Sequence, residues 1–114
     1  MVKASYVPDL GDVIYIDFDP QAGREQAKRR PALVMTGRKY NRAAGLVVVC
    51  PLTSVIKPYP FAVPVRIKGR DGCVLADHIK SMDWQVRRAE FYGKVQDAIL
   101  EQTQNLLGVL LAIN

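Results

Sequence analysis

A cationic segment between two apolar runs is the part of this chain best suited to chemistry on a phosphate group. Residues 23–31 read Gly-Arg-Glu-Gln-Ala-Lys-Arg-Arg-Pro, with four cations and one carboxylate. Arginine and lysine side chains bind phosphate oxygens, and a loop between two rigid strands is a common place for binding and catalytic groups. The segment is therefore predicted to be a loop that holds the backbone of a polyanion.

Two strands are predicted to position that loop. Apolar and β-branched side chains dominate Asp12–Phe18, and Asp19 and Pro20 end the run. A second apolar run, Ala32–Met35, follows the cationic segment. The loop should therefore connect two strands and take its position from them.

Residues 37–82 carry further structural patterns. The run Leu46–Cys50 is apolar throughout, which indicates a central strand. Phe61–Ile67 alternates, but Pro64 cannot donate a hydrogen bond to a neighbouring strand, so this strand is expected at an edge or with a bulge. Gly69–Gly72 is predicted as a turn, with one or two strands after it and a short helical turn near residues 37–42.

The hydrophobic period changes near the end of the chain. From Asp97 onward, apolar residues between Ile99 and Ile113 recur at helical spacing, which predicts an amphipathic helix. This segment has no Lys or Arg to meet anionic lipid, so it should pack on the sheet and not on a membrane. The expected fold class is mostly β with a C-terminal helix (α+β), in a single domain that covers residues 1–114.

Charge and hydropathy narrow the possible functions. The 114 residues carry 16 Lys and Arg against 11 Asp and Glu, and all the cations precede residue 95. Such a distribution is expected of a domain that meets a polyanion, although a basic surface can also serve solubility alone. The longest apolar runs are too short to span a bilayer and the first residues lack a signal-peptide pattern, so a cytoplasmic location is expected.

The few thiol and imidazole groups do not form a recognisable metal-binding motif. Cys50 and Cys73 stand 23 positions apart without a CxxC spacing, and buried free thiols are expected. His78 is the only histidine, so one subunit cannot supply two imidazoles for acid–base catalysis. Beside Asp77, it is predicted to be a structural residue in a strand. No metal ion or other cofactor is expected.

Several short motifs occur in the order found in one family of toxins. They are Gly-Asp-Val-Ile-Tyr-Ile-Asp-Phe-Asp-Pro (residues 11–20), Arg-Pro-Ala-Leu-Val (30–34), Pro-Leu-Thr-Ser (51–54) and Asp-Gly-Cys-Val-Leu-Ala-Asp (71–77). With them the chain resembles the MazF/PemK/Kid family of toxin ribonucleases over most of residues 6–84. The resemblance implies a small SH3-like barrel of the MazF/CcdB type.

The same resemblance implies a function. It is that of the toxin of a type II toxin–antitoxin system, which inhibits translation and growth. The activity implied is sequence-selective, metal-independent cleavage of single-stranded RNA to 2′,3′-cyclic phosphate and 5′-hydroxyl ends. The substrate class implied is mRNA. The partners implied are RNA, a cognate acidic antitoxin and a second copy of the chain in a homodimer.

The catalytic residues implied by the resemblance are Arg30, Thr53 and Glu25. Arg30 matches the family's catalytic arginine, and its planar fork can bind two phosphate oxygens at once. Thr53 matches a threonine used beside that arginine, with Glu25 as a candidate proton acceptor. Two alternatives stay open: a surface ion pair between Arg30 and Glu25, and a Thr53 hydroxyl that only caps local backbone. Which group acts as general base is also open.

RNA contacts are expected from cations, amides and one exposed aromatic ring. The predicted set is Arg24, Gln26, Lys28, Arg29, Asn41, Lys57 and Tyr59. Lys28 stands where some relatives have a histidine. Leu75 stands where some relatives have an arginine paired with the following aspartate, so Asp77 is interpreted as structural or peripheral.

A non-enzymatic toxin of the same fold is the main alternative function. The CcdB-like toxins, which bind gyrase, resemble one another in a tryptophan-bearing C-terminal tail. This chain ends Leu-Leu-Ala-Ile-Asn, and its only tryptophan is Trp84. The ending therefore favours the ribonuclease.

Overall fold

The computed structural model of the chain describes residues 6–19, 28–56 and 58–113, except the side chains of Asp19 and Lys28. Within these residues, the chain forms seven strands. They are β1 (Asp12–Asp19), β2 (Lys28–Val34), β3 (Leu46–Thr53), β4 (Ala62–Ile67), β5 (Arg70–Leu75), β6 (Lys80–Asp83) and β7 (Glu90–Lys94). Two α-helices, α1 (Arg38–Ala44) and α2 (Asp97–Leu110), and one 3-10 turn (Ala76–His78) complete the described elements.

The strands form one antiparallel sheet that curls into a half-barrel. Their order is β4-β5-β3-β2-β1-β7, and β6 pairs with β3 outside this path. β3 is central because β2 pairs along one of its edges and two strands pair along the other. Along that second edge, the first half of β3 pairs with β6 and its last two residues pair with β5. β4, which contains Pro64, lies at an edge. The predicted fold class and both strand placements are confirmed.

The sheet buries apolar side chains on both faces. On one face, Val13 and Leu33 pack with Leu107 of α2. On the other face, Ile14 and Val34 are fully buried in a cluster closed by Met82 and Trp84. Burying each such aliphatic side chain contributes about 1.5–3 kcal/mol, so the two clusters make the sheet a rigid frame for the residues at its ends.

Helix α2 begins at Asp97, as its sequence pattern predicts, and packs on the sheet through Leu107. Its final turn does not pack in the same way. Leu110 is 40% exposed and Ile113 beyond it is 76% exposed. Among the described residues, no helix is long and apolar enough to cross a membrane.

Strand β2 begins earlier than predicted. Its first residues are the cations of the predicted loop, with Arg29 opposite Asp17 and Arg30 opposite Ile16 of β1. Cross-strand pairing and the carboxylate of Asp17 thus extend β2 by four residues ahead of Ala32. The part of the predicted loop at residues 20–27 lies outside the described residues.

Two further local predictions are corrected, and one strand was missed. The turn between β4 and β5 is Lys68–Gly69, both with positive φ (51° and 75°), so residues 70–72 belong to β5. His78 lies in the 3-10 turn and not in a strand. Strand β7 was not predicted, because its five residues lack a clear alternation and pairing with β1 forms it.

Candidate functional site

A cavity of about 600 Å³ opens where β2 and β3 separate. The last pair between these strands is Ala32 with Pro51. Neither Pro31 nor Pro51 has a backbone N–H, so the ladder loses two donors at this point. Thr53 at the end of β3 pairs with Cys73 of β5 instead. The divergence of the two strands creates the cavity.

Arg30 and Thr53 both line this cavity. Arg30 stands two residues before Ala32, and Thr53 stands two residues after Pro51, just beyond the last pair of β2 with β3. Side chains two positions apart on a strand share a face, so each of the two follows the face of its paired neighbour. The two residues that the family resemblance joins are both part of the lining of one cavity.

The Arg30 guanidinium lies against an aromatic ring. Its central carbon is 5.7 Å from the centre of the Phe18 ring, and Lys80 Nζ lies at the same distance from that ring. Two cations thus flank one apolar side chain near the cavity, as expected for phosphate recognition. The alternative ion pair of Arg30 with Glu25 falls outside the described residues.

Thr53 is held in place by a local hydrogen bond and by close backbone packing. Its Oγ accepts a hydrogen bond from the backbone N–H of Val55 at 3.2 Å. The hydroxyl hydrogen can still be donated to a ligand oxygen. Gly72 of β5 packs so tightly that an added Cβ would collide with the Thr53 carbonyl. The Thr53 hydroxyl therefore caps the local backbone and can still donate a hydrogen bond to a ligand.

Arg29 differs from its neighbour Arg30 in its partners. Its Nη1 donates to Asp17 Oδ1 at 2.7 Å, and its Nη2 reaches the carbonyl oxygens of Tyr15 and Arg88 and the carboxylate of Glu90. The guanidinium carbon also lies 5.0 Å from the centre of the Tyr15 ring. Although Arg29 lines the cavity, these contacts favour a structural role over the predicted RNA contact.

Asp17 is the carboxylate that organises this network. It is 6% exposed and also accepts two hydrogen bonds from Arg88, at 2.9 and 3.2 Å. The hydrogen bond from Arg88, followed by that from Arg29, holds the pKa of Asp17 below its usual value against the opposing effect of desolvation. The carboxylate is therefore ionised and keeps both cations in place.

Asn41 does not occupy a surface position. It is fully buried, its amide nitrogen donates to the carbonyl oxygens of Pro8 and Thr36, and its amide oxygen accepts from the Thr36 hydroxyl. The Trp84 indole donates to its backbone oxygen at 2.8 Å. Asn41 joins α1 to the core, and the expectation that it contacts RNA is corrected.

Tyr59 is exposed, as predicted, but does not line the cavity. It is 42% exposed, and its hydroxyl donates to Asp77 Oδ2. This hydrogen bond raises the pKa of the Tyr59 phenol. Asp77 lies beyond the end of β5, whereas Thr53 packs against Gly72 and Cys73 in the middle of that strand. The pair therefore forms a separate feature from Arg30 and Thr53.

Several predicted residues fall outside the described part of the chain. They are Arg24, Glu25, Gln26, Lys57 and the side chain of Lys28. The residues that line or border the cavity but were not predicted as RNA contacts include Lys68, Arg70 and Tyr92. The first two belong to a basic cluster visible in the sequence, whereas nothing in the sequence distinguished Tyr92.

The two thiols are buried and unpaired. Burial, followed by the charge of Asp77, raises the pKa of Cys50 to about 12, so this thiol stays protonated. The prediction of buried structural cysteines is confirmed. In the described ranges, no three His, Cys, Asp or Glu side chains are grouped as metal ligands would be.

Comparison with known proteins identifies relatives of this chain. Residues 9–111 match the family of PemK-like, MazF-like toxins of type II toxin–antitoxin systems. The endoribonuclease toxin MazF of Escherichia coli K12 is 42% identical over 106 residues, which cover 93% of this chain and 96% of that protein.

Solved structures agree with the sequence comparison. The crystal structure of MazF (Form-I) from Deinococcus radiodurans has a TM-score of 0.85 and 45% identity, and covers 96% of this chain and 100% of its own. A MazE–MazF crystal structure (Form-II) from the same organism has a TM-score of 0.89 at the same identity and coverage. The non-enzymatic CcdB-like alternative is not favoured. The chain belongs to the family of PemK-like, MazF-like toxins of type II toxin–antitoxin systems.

Proposed function

We propose that this toxin is a sequence-selective endoribonuclease that cleaves single-stranded RNA without a metal ion. The observation that carries the proposal is that Arg30 and Thr53 line the same cavity. The similarity to an Escherichia coli endoribonuclease over nearly the whole chain supports the same activity. One catalytic domain over residues 1–114 and a cytoplasmic location belong to this proposal.

The mechanism follows from what these two side chains can do. The RNA 2′-hydroxyl attacks the adjacent phosphorus, and negative charge builds on the non-bridging oxygens as the 5′-oxygen leaves. Arg30 binds those oxygens through its planar fork and stabilises the transition state. Thr53 donates a hydrogen bond from its hydroxyl to the phosphate, and Glu25 is the proposed acceptor of the proton that the 2′-hydroxyl loses as it attacks. The leaving 5′-oxygen takes a proton from solvent water as its bond to phosphorus breaks, which balances the step. The products are a 2′,3′-cyclic phosphate and a 5′-hydroxyl.

The surrounding cations bind the RNA backbone on either side of the cut. Lys80 lies beside the same aromatic ring as Arg30, and Arg70 lines the cavity. Arg24, Gln26, Lys28 and Lys57 remain proposed RNA contacts. Counterion release makes such binding weaken steeply as salt rises.

A homodimer and an acidic antitoxin are proposed as the protein partners. The end of α2 supports the dimer, because Val109, Leu111 and Ile113 are 59%, 54% and 76% exposed and form an apolar surface unusual for a small monomer. A chain similar to this one is found in the MazE–MazF crystal structure from Deinococcus radiodurans, which supports an antitoxin partner. An acidic segment that folds over the basic cavity would compete directly with RNA. Light scattering that gives a monomer at micromolar concentration would exclude the dimer.

The decisive test is cleavage of a long synthetic RNA in EDTA, with the cut sites and end groups mapped. Arg30→Ala and Thr53→Ala should each lower the single-turnover rate, the former by about 10² or more. Arg42→Ala, an exposed cation of α1 away from the cavity lining, is the matched control and should cleave like the wild type. Loss of activity in EDTA with recovery in magnesium, or 5′-phosphate ends, would refute the proposed chemistry.

A further inference from the structure

Two tyrosines form a stacked pair in the wall of the cavity that Arg30 and Thr53 also line. The rings of Tyr15 and Tyr92 have centroids 5.8 Å apart and planes inclined by 22°. Both side chains are partly exposed and both line the cavity. The cavity is therefore bounded by cations and by a flat aromatic surface.

The backbone of β7 is bulged in a way that directs Tyr92 towards this position. Val13 of β1 pairs with Gly93 and Ile14 with Phe91, so Tyr92 is an extra residue without a partner. Such bulges turn a side chain out of the regular alternation and are frequent near active sites. Tyr92 consequently shares the face of Tyr15, whereas Phe91 contacts Tyr6 in another direction.

The ammonium group of Lys68 lies against the Tyr92 ring. Lys68 Nζ lies 4.2 Å from the ring centre, and Lys68 itself is exposed in the two-residue turn between β4 and β5. A cation–π contact at an exposed site is weaker than stacking of a nucleobase on an aromatic ring. A base can therefore displace the ammonium group, which then lies close to the phosphate attached to that nucleotide.

We propose that Tyr92, supported by Tyr15, is a stacking subsite for one nucleobase next to the cleaved phosphate, with Lys68 as the phosphate contact of that nucleotide. The inference rests on the proposed ribonuclease function and adds a substrate subsite to it. The cavity volume of about 600 Å³ is within the range that holds a ligand of nucleotide size, which is more than a phosphate between Arg30 and Thr53 requires.

The test uses a short RNA that contains the mapped cut site, with a 2′-deoxy nucleotide there to prevent cleavage. Tyr92→Leu keeps an apolar side chain but removes the ring, and should weaken RNA affinity by about 10-fold. Tyr92→Phe should bind within about 2-fold of the wild type. Phe91→Leu, which alters an exposed ring on the neighbouring residue, is the matched control and should also bind within about 2-fold.

An abasic scan separates stacking from a structural role. Removing the base at one position beside the cut should weaken wild-type binding by about 10-fold but affect Tyr92→Leu by less than about 2-fold, because the stacking partner is already gone. The subsite would be overturned if the losses of affinity from Tyr92→Leu and from removal of the base were additive. It would also be overturned if Tyr92→Leu bound RNA with unchanged affinity. Lys68→Gln should lower the slope of log affinity against log salt by about one, and an unchanged slope would overturn the phosphate contact.

The outcomes also distinguish this inference from the function on which it rests. If the wild type cleaves RNA and Tyr92→Leu binds it normally, the stacking subsite is refuted and the proposed ribonuclease function stands. If the wild type neither binds nor cuts RNA, both proposals are refuted. Thermal unfolding of each variant, compared with the wild type, shows whether any loss of binding comes from loss of the fold.

Discussion

Replacement by alanine should affect different properties at the neighbours Arg29 and Arg30. Arg29→Ala should lower stability, and Arg30→Ala should lower activity. Arg29→Ala removes the 2.7 Å ion pair with Asp17, in which the two side chains are only 19% and 9% exposed. It also removes hydrogen bonds to two backbone carbonyl oxygens. For Arg30, the contact found among the described residues is with the Phe18 ring.

The size of the stability effect follows from these contacts. Removing one partner of a buried ion pair costs about 3–5 kcal/mol. Asp17 keeps its hydrogen bonds from Arg88, and Arg29 is partly exposed, so we expect a loss of about 2–3 kcal/mol for Arg29→Ala. For a domain of this size, that lowers Tm by about 10 °C. Arg30→Ala should cost less than about 1 kcal/mol, the value of an exposed cation–π contact.

The assay combines thermal and urea unfolding with single-turnover RNA cleavage well below both midpoints. Arg30→Ala should be folded and about 10²-fold slower, whereas Arg29→Ala should be less stable but lose less than about 10-fold in rate per folded molecule. In a double-mutant cycle, Asp17→Asn with Arg29→Ala should cost less than the sum of the single changes. Wild-type stability of Arg29→Ala, or an equal loss in Arg30→Ala, would refute the assignment.

Three further predictions concern acid stability, packing and thiol reactivity. The lowered pKa of Asp17 means that its stabilising effect is complete above its unfolded pKa of about 3.9 and is lost as pH falls through the lower folded value. Urea unfolding between about pH 6 and 2 should show this fall, and Asp17→Asn should make it shallower. Gly72→Ala should cost about 2 kcal/mol and slow cleavage, because the new Cβ displaces the Thr53 carbonyl; a variant with normal stability and rate would contradict the packing. Cys50, with a pKa raised to about 12, should not react with a thiol reagent at about pH 8 until the protein unfolds, and rapid labelling of the native protein would show the burial to be wrong.

Local patterns in the sequence were sufficient for the main elements and for the family. Continuous apolar character placed Leu46–Cys50 in the centre of the sheet, and the missing N–H of Pro64 placed its strand at an edge. The change to a 3.6-residue period located α2 at Asp97. These features depend on neighbours in sequence, so they can be read without knowing which distant segments meet. The pairing of Arg30 with Thr53 was available only through the family motifs.

The division of roles between adjacent residues was decided by tertiary structure. Arg29 and Arg30 have the same chemistry in the sequence, and only the register against β1 directs Arg29 to Asp17. Asn41 resembles an exposed polar residue until Trp84 and the N-terminal segment enclose it. Tyr92 reaches the cavity because one unpaired residue shifts β7 against β1. Residue type and spacing therefore determined which chemistry the chain can carry, whereas long-range strand register determined which side chains face the cavity, because a one-residue shift reverses the face to which a strand side chain points.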